Sequence, residues 1–200
     1  WKIIEKLGLC NEQESKVQFT MADRKINAVI STSVGRLFDA VSAILGIRRQ
    51  SSFEGEASMA LEFAAEAYEQ QNIMQGRDEK PDRLVYEKEE RFILNTRMLV
   101  QQIVEEKMQG ADSGRLAYLF HQVLAEQITA ACIEARSNSG RKKVALSGGV
   151  FQNRLLLRLT EEQLEQEGFE VLRHHMIPPN DGRSNISSAL CTPETAKKHL

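Results

Sequence analysis

From Val34 onward, apolar residues recur at spacings of three and four (Leu37, Phe38, Val41, Ile44, Leu45), which predicts a helix with one apolar stripe. Ser33 precedes it as a plausible N-cap and Gly46 follows as a plausible stop. On a helical wheel Gly35, Asp39 and Ser42 fall together away from that stripe, a small polar face that a ligand could approach closely. Upstream, residues 1–30 predict two short amphipathic helices broken near Gly8-Leu9-Cys10-Asn11. Downstream, residues 51–53 read as a loop and residues 54–71 as a helix rich in Ala and Glu. Residues 72–82, with Gly76 and Pro81, form the best internal break, and residues 91–94 suit a short strand. Helices follow at about 96–108 and 113–137, separated by Gly110-Ala111-Asp112. The second lays Leu116, Leu119, Phe120, Val123, Leu124, Ile128 and Ala131 on one side, the signature of a core helix.

Beyond residue 140 the period changes. Lys143-Val144-Ala145-Leu146 is a short apolar strand running into Ser147-Gly148-Gly149. A helix over residues 152–167, a stop at Gly168 and a second strand at Phe169-Glu170-Val171-Leu172 complete a β–turn–α–β unit, the common way to build a parallel sheet. No internal repeat is visible. The expected class is α/β with a large helical face.

The 200 residues are 42% apolar, enough to bury one good core. The net charge of -2 gives no reason to expect nucleic acid as a partner, and the short basic run Arg141-Lys142-Lys143 reads as a solvated lead-in to a strand. Cys10, Cys132 and Cys191 lie far apart, which excludes a recognisable zinc ribbon or redox dithiol and argues against a disulfide framework. No apolar run approaches the length that crosses a bilayer, so no membrane partner is expected, and the compartment expected is the cytoplasm. Trp1 lies inside an amphipathic pattern with no initiator Met, so a fragment of a longer protein is expected.

Three places carry candidate chemistry. In Leu146-Ser147-Gly148-Gly149-Val150-Phe151-Gln152-Asn153, two glycines between a strand end and a helix start let the backbone approach phosphate or ribose oxygens, and Asn153 can donate and accept. The same glycines equally suit a tight turn that serves packing alone. Pro178-Pro179-Asn180-Asp181-Gly182 is either an ordinary surface turn or a loop that places the Asp181 carboxylate at the carboxyl end of a strand, where α/β sheets bind ligands and metals. Asp39, followed later by Phe53-Glu54-Gly55-Glu56-Ala57, is either a solvated helix charge or a holder of ribose hydroxyls. His174-His175 cannot readily chelate one ion together, because adjacent strand residues face opposite sides. His121 reads as a core or boundary histidine.

Taken in order, Thr32-Ser33-Val34-Gly35-Arg36-Leu37-Phe38-Asp39-Ala40-Val41, Phe53-Glu54-Gly55-Glu56-Ala57, Phe120-His121, the Val144-to-Arg154 segment and Pro178-Pro179-Asn180-Asp181-Gly182 resemble the C-terminal domain of HypF-type hydrogenase-maturation carbamoyltransferases. A more distant relative is the tRNA threonylcarbamoyladenosine transferase family. The resemblance implies the second half of an actin- or sugar-kinase-like α/β domain, spanning residues 1–182. It implies an enzyme that makes carbamoyl-adenylate from ATP and carbamoyl phosphate, then passes the carbamoyl group to the C-terminal cysteine of a HypE-type partner. The product becomes the cyanide ligand of nickel–iron hydrogenases. By the same resemblance, Gly148, Gly149 and Asn153 would hold the adenosine part, Asp39 and the Glu54-Gly55 turn would contact ribose or base, and Asp181 would be one ligand of a divalent metal.

Two departures qualify this expectation. The family's metal-binding histidine pair would lie upstream of Trp1, as would its acylphosphatase-like, zinc-finger and carbamoyl-adenylate-forming domains, so the chain alone is expected to be catalytically incomplete. After Gly182 the family continues with Gly, where this chain has Arg183; residues 183–200, interrupted by Pro193, are expected to form an atypical, mobile tail. The competing expectations are a threonylcarbamoyl transferase and a non-catalytic docking module of the same fold.

Overall fold

The computed structural model describes residues 6–8, 10–29, 31–75 and 96–173. Its elements are α1 (Glu12–Asp23), α2 (Val34–Ile44), α3 (Glu56–Met74), α4 (Thr96–Met108), α5 (Ser113–Ser139), β1 (Lys143–Leu146), a 3-10 turn (Gly149–Gln152), α6 (Arg154–Gln166) and β2 (Glu170–Arg173). The architecture is helix-rich α/β with a small parallel sheet. The loop of 178–182, His174-His175, the expected strand at 91–94, the boundary at 182 and the tail of 183–200 lie outside the described residues.

α5 is the central helix. It packs on α3, α4 and α6, while α2 packs on α3. Asp112 caps its start by accepting from the Arg115 amide, and Gly140, at a φ of 70°, ends it. Most of the stripe predicted for it is buried: Leu116, Leu119, Phe120, Val123 and Leu124 join Phe38, Val41, Leu61, Leu99, Ile103, Leu155 and Leu156 in the main core, while Ile128 and Ala131 are only half-buried. Phe38 and Phe120 meet edge to face with centroids 4.9 Å apart. Each such side chain removed from water contributes roughly 1.5–3 kcal/mol. A second cluster of Leu146, Leu164 and Phe169 lies against β1, β2 and the rear of α5, with Cys132 and Ile133 packed on it.

β1 and β2 run parallel, pairing Lys143 with Glu170 through to Leu146 with Arg173. α6 is the crossover between them, as the pattern predicted. Behind the sheet Arg136 stacks over the Phe169 ring at 4.3 Å and donates to the Glu167 carbonyl at 2.6 Å. α1 carries a capping box, with Asn11 Oδ1 accepting from the Glu14 amide and Glu14 Oε2 accepting from the Asn11 amide. Of its residues only Ser15 is buried. Arg49 ties the segment before α1 to the body by donating to the Leu7 and Gly8 carbonyls. Among the described residues, no helix is long and apolar enough to cross a membrane.

Two local expectations change. Ser42 is fully buried, with no partner for its hydroxyl among the described residues, so Gly35, Asp39 and Ser42 do not form one open polar face. α3 begins at Glu56 rather than 54, because Phe53-Glu54-Gly55 makes a turn in which Gly55 takes the left-handed φ of 84°, and it runs on to Met74.

Candidate functional site

β1 delivers the chain, at the carboxyl edge of the sheet, into Ser147-Gly148-Gly149. Gly148 has φ 105° and ψ 157°, a conformation that L side chains avoid. Gly149 opens the 3-10 turn, and a Cβ built on either glycine would meet no atom of the described residues within 4 Å. Among the described residues nothing covers the outer side of this turn, which leaves its backbone open to a ligand. α2 packs against the 3-10 turn, and Val34, Leu37, Val150 and Phe151 are half-buried against the same core. The helix that bears Asp39 is thereby a wall next to the glycines. Asp39 itself is about a quarter exposed and pairs with Arg36 at 3.2 Å. Glu54 is exposed, in the turn that leads into α3.

Asn153 plays a different part from the one its position suggested. It is buried, not peripheral, and it is the N-cap of α6 rather than a first-turn residue. Its Oδ1 accepts from the Leu156 amide at 2.8 Å, and its Nδ2 lies 2.9 Å from His121 Nε2. His121 Nδ1 lies 2.7 Å from the Ala117 carbonyl, which can only accept, so the ring proton sits on Nδ1 and Nε2 accepts from Asn153. The chain Ala117–His121–Asn153–Leu156 thus fixes the imidazole in one neutral tautomer. Burial drives the same way, pushing the His121 pKa down to about 4. Phe38 and Phe120 meet the ring edge-on at 5.2 and 5.7 Å. His121 is a core histidine, as its place on the helix predicted.

Glu62, on α3, is a residue that sequence reasoning missed. It is buried, and its Oε1 accepts from the amides of Arg154 at 2.6 Å and Leu155 at 3.4 Å. Burial raises its pKa, while those two amides pull it down. With Asn153 taking the third amide, the free donors at the head of α6 are filled from inside the protein. The signal was present: Glu62 follows Leu61 and lies between Ala57 and Ala65, on the buried side of an otherwise charged helix. Ala-Glu-rich composition concealed it.

Among the described residues no three His, Cys, Asp or Glu side chains stand close enough to hold a metal ion, and Asp181 lies outside them. These residues do not fit a metal by themselves. Cys132 is half-buried, and burial raises its thiol pKa, the opposite of an activated nucleophile.

The family model described as the second subdomain of the carbamoyltransferase Kae1-like domain matches residues 2–187. The chain belongs to the HypF carbamoyltransferase family. Similar relatives include a probable carbamoyltransferase HypF from Methanocaldococcus jannaschii, 27% identical over 90% of this chain and 22% of its own length. Carbamoyltransferase HypF of Synechocystis sp. is 34% identical over 78% of this chain and 18% of its own. A HypF homolog of Cupriavidus necator is 31% identical over 91% and 45%. A crystal structure of full-length HypF in the phosphate- and nucleotide-bound form superposes with TM-score 0.78 at 34% identity, covering 90% of this chain and 23% of that one. HypF from T. kodakarensis superposes with TM-score 0.73 at 25% identity, covering 92% and 24%. The chain therefore spans from about a fifth to under half the length of these HypF relatives. The predicted fold class agrees with these neighbours.

Proposed function

We propose that this chain is the nucleotide-holding half of a carbamoyltransferase domain. It binds the adenosine part of carbamoyl-adenylate, made from ATP and carbamoyl phosphate, while the carbamoyl group passes to the C-terminal cysteine of a HypE-type partner in the synthesis of the hydrogenase cyanide ligand. The observation that carries the reading is the Gly148–Gly149 turn at the carboxyl edge of β1, uncovered by any described residue on its outer side, in a chain of the HypF family. Gly148 supplies the backbone reversal, and Gly149 leaves room for the ligand. The nucleophilic thiol is assigned to the partner, consistent with the raised Cys132 thiol pKa. Asp39 and the Glu54-Gly55 turn are the proposed ribose or base contacts. Asp181 is proposed as one ligand of a divalent metal whose remaining ligands lie elsewhere.

Gly149→Val tests this cleanly. Its Cβ would meet no atom of the described residues within 4 Å and it removes no positive φ, so the fold is expected to survive while the side chain fills the space the ligand needs. In the full-length protein, whose carbamoyl-adenylate-forming domain would bind ATP separately, it is expected to weaken one of two ATP-binding events by about tenfold or more, roughly 1.4 kcal/mol. It should slow transfer from radiolabelled carbamoyl phosphate to match. A well-folded Gly149→Val protein with both ATP-binding events at wild-type affinity overturns the site.

A further inference from the structure

Glu62 bridges two segments 92 residues apart in the sequence. At one end stands α3, whose first residues follow the Glu54-Gly55 turn. Six residues of helix, roughly 9 Å, separate Glu56 from Glu62. At the other end stands the head of α6, immediately after the Gly148–Gly149 turn and Asn153. The two turns proposed to grip the nucleotide are therefore carried by elements that one carboxylate joins. We infer that Glu62 is a positioning residue, whose carboxylate holds the α6 head against α3 and so sets the spacing of the two nucleotide-contacting turns. This rests on the nucleotide reading above.

The geometry supports this in three ways. First, Oε1 reaches the first two amides of α6, the donors nearest the glycine turn, and Asn153 takes the third, so the head of the helix has no freedom to tilt without breaking a buried hydrogen bond. Second, a carboxylate buried at this depth is costly unless it is used, and burial does raise its pKa. The positive end of the α6 dipole and the two amides are what offset that cost. Third, the other tie between these helices differs in kind. Arg158 grips both oxygens of Glu69 at 2.6 and 2.8 Å, one helical turn further along α6, but it does so at the surface. Glu69 sits away from the turns and serves as an internal control.

The test is ATP titration of the full-length protein, read at the binding event that Gly149→Val weakens, with the thermal midpoint of each variant measured alongside. Glu62→Gln keeps an oxygen that can accept from both amides, and should bind ATP within about threefold of wild type. Glu62→Ala should raise the Kd for ATP about tenfold or more, raising KM for the nucleotide with little change in kcat at saturation. Glu62→Asp, one methylene too short to reach, should shift the Kd in the same direction and provides a folded variant should Ala fail to fold. Glu69→Ala should leave the Kd unchanged even where its midpoint falls, which separates positioning from general stability. Wild-type affinity in Glu62→Ala and Glu62→Asp overturns the role of Glu62 and leaves the nucleotide site standing. An equal loss in Glu69→Ala also overturns it, by showing that any loosening of α3 against α6 has this effect. A folded Gly149→Val protein that binds ATP in every respect as wild type does overturns the nucleotide reading, and this role with it.

Discussion

His121 is the residue at which chemistry and stability meet. Its imidazole is fully buried, donates to the Ala117 carbonyl and accepts from Asn153, so only the neutral ring satisfies its surroundings. Its folded pKa is depressed from 6.5 to about 4. For a histidine so shifted, the unfolded chain takes up the proton first, so the stability it contributes is complete above pH 6.5 and is lost as pH falls towards 4. The loss across that window is about 3 kcal/mol from this one group. Urea midpoints measured from pH 7 to pH 4 should show a decline that is blunted in His121→Gln, whose uncharged amide cannot titrate. An equally steep decline in that variant would assign the acid sensitivity elsewhere. Asn153→Ala removes both the cap of α6 and the partner of His121, so it would mix lost stability with lost ligand contact, and Gly149 is the cleaner probe of the site.

At the scale of elements, α5 dominates because it presents buried residues to α3, α4 and α6 at once. Leu124→Ala there opens a cavity among large neighbours and should cost about 2–5 kcal/mol. Arg158→Ala removes an ion pair whose partners are 44% and 22% exposed, and should cost under about 1 kcal/mol. Equilibrium unfolding of the two variants checks the contrast, and similar losses would mean that the exposed ion pair stabilises the fold as much as a core leucine does. Elements of this kind are legible in the amino-acid pattern. Gly110-Ala111-Asp112 announces the joint between α4 and α5, and the apolar strand, double glycine and helix announce β1 to β2. The roles of Glu62 and Asn153 are not legible there, for a physical reason: each is defined by a partner far along the chain, Arg154 and His121, and a local pattern records no such partner. Ser42 misleads in the same way. Three small or polar residues on one arc of a wheel mark an open face only if nothing packs over them, and the wheel cannot see what packs.

For the described residues as a whole, the core is built on α5, which packs on α3 across the chain as well as on its neighbours α4 and α6, and the sheet comes from one crossover. Lys143 and Glu170, the first rung of the parallel pair and an ion pair at 2.9 Å, stand 27 residues apart. That separation has a kinetic side. A parallel rung cannot zip from a tight hairpin; it must wait until the intervening segment has folded back, after its loop-closure entropy has been met. The order of events on folding is then α5 and α6 first, with Leu155 and Leu156 seated, and the β1–β2 ladder last. Pulse-labelled hydrogen exchange during refolding should find the amides of α5 protected before those of Val144 and Leu172. Simultaneous protection would place the strand pair in the nucleus instead. Because the Gly148–Gly149 turn hangs from the end of β1, the proposed nucleotide-binding turn would be among the last of the described elements to mature.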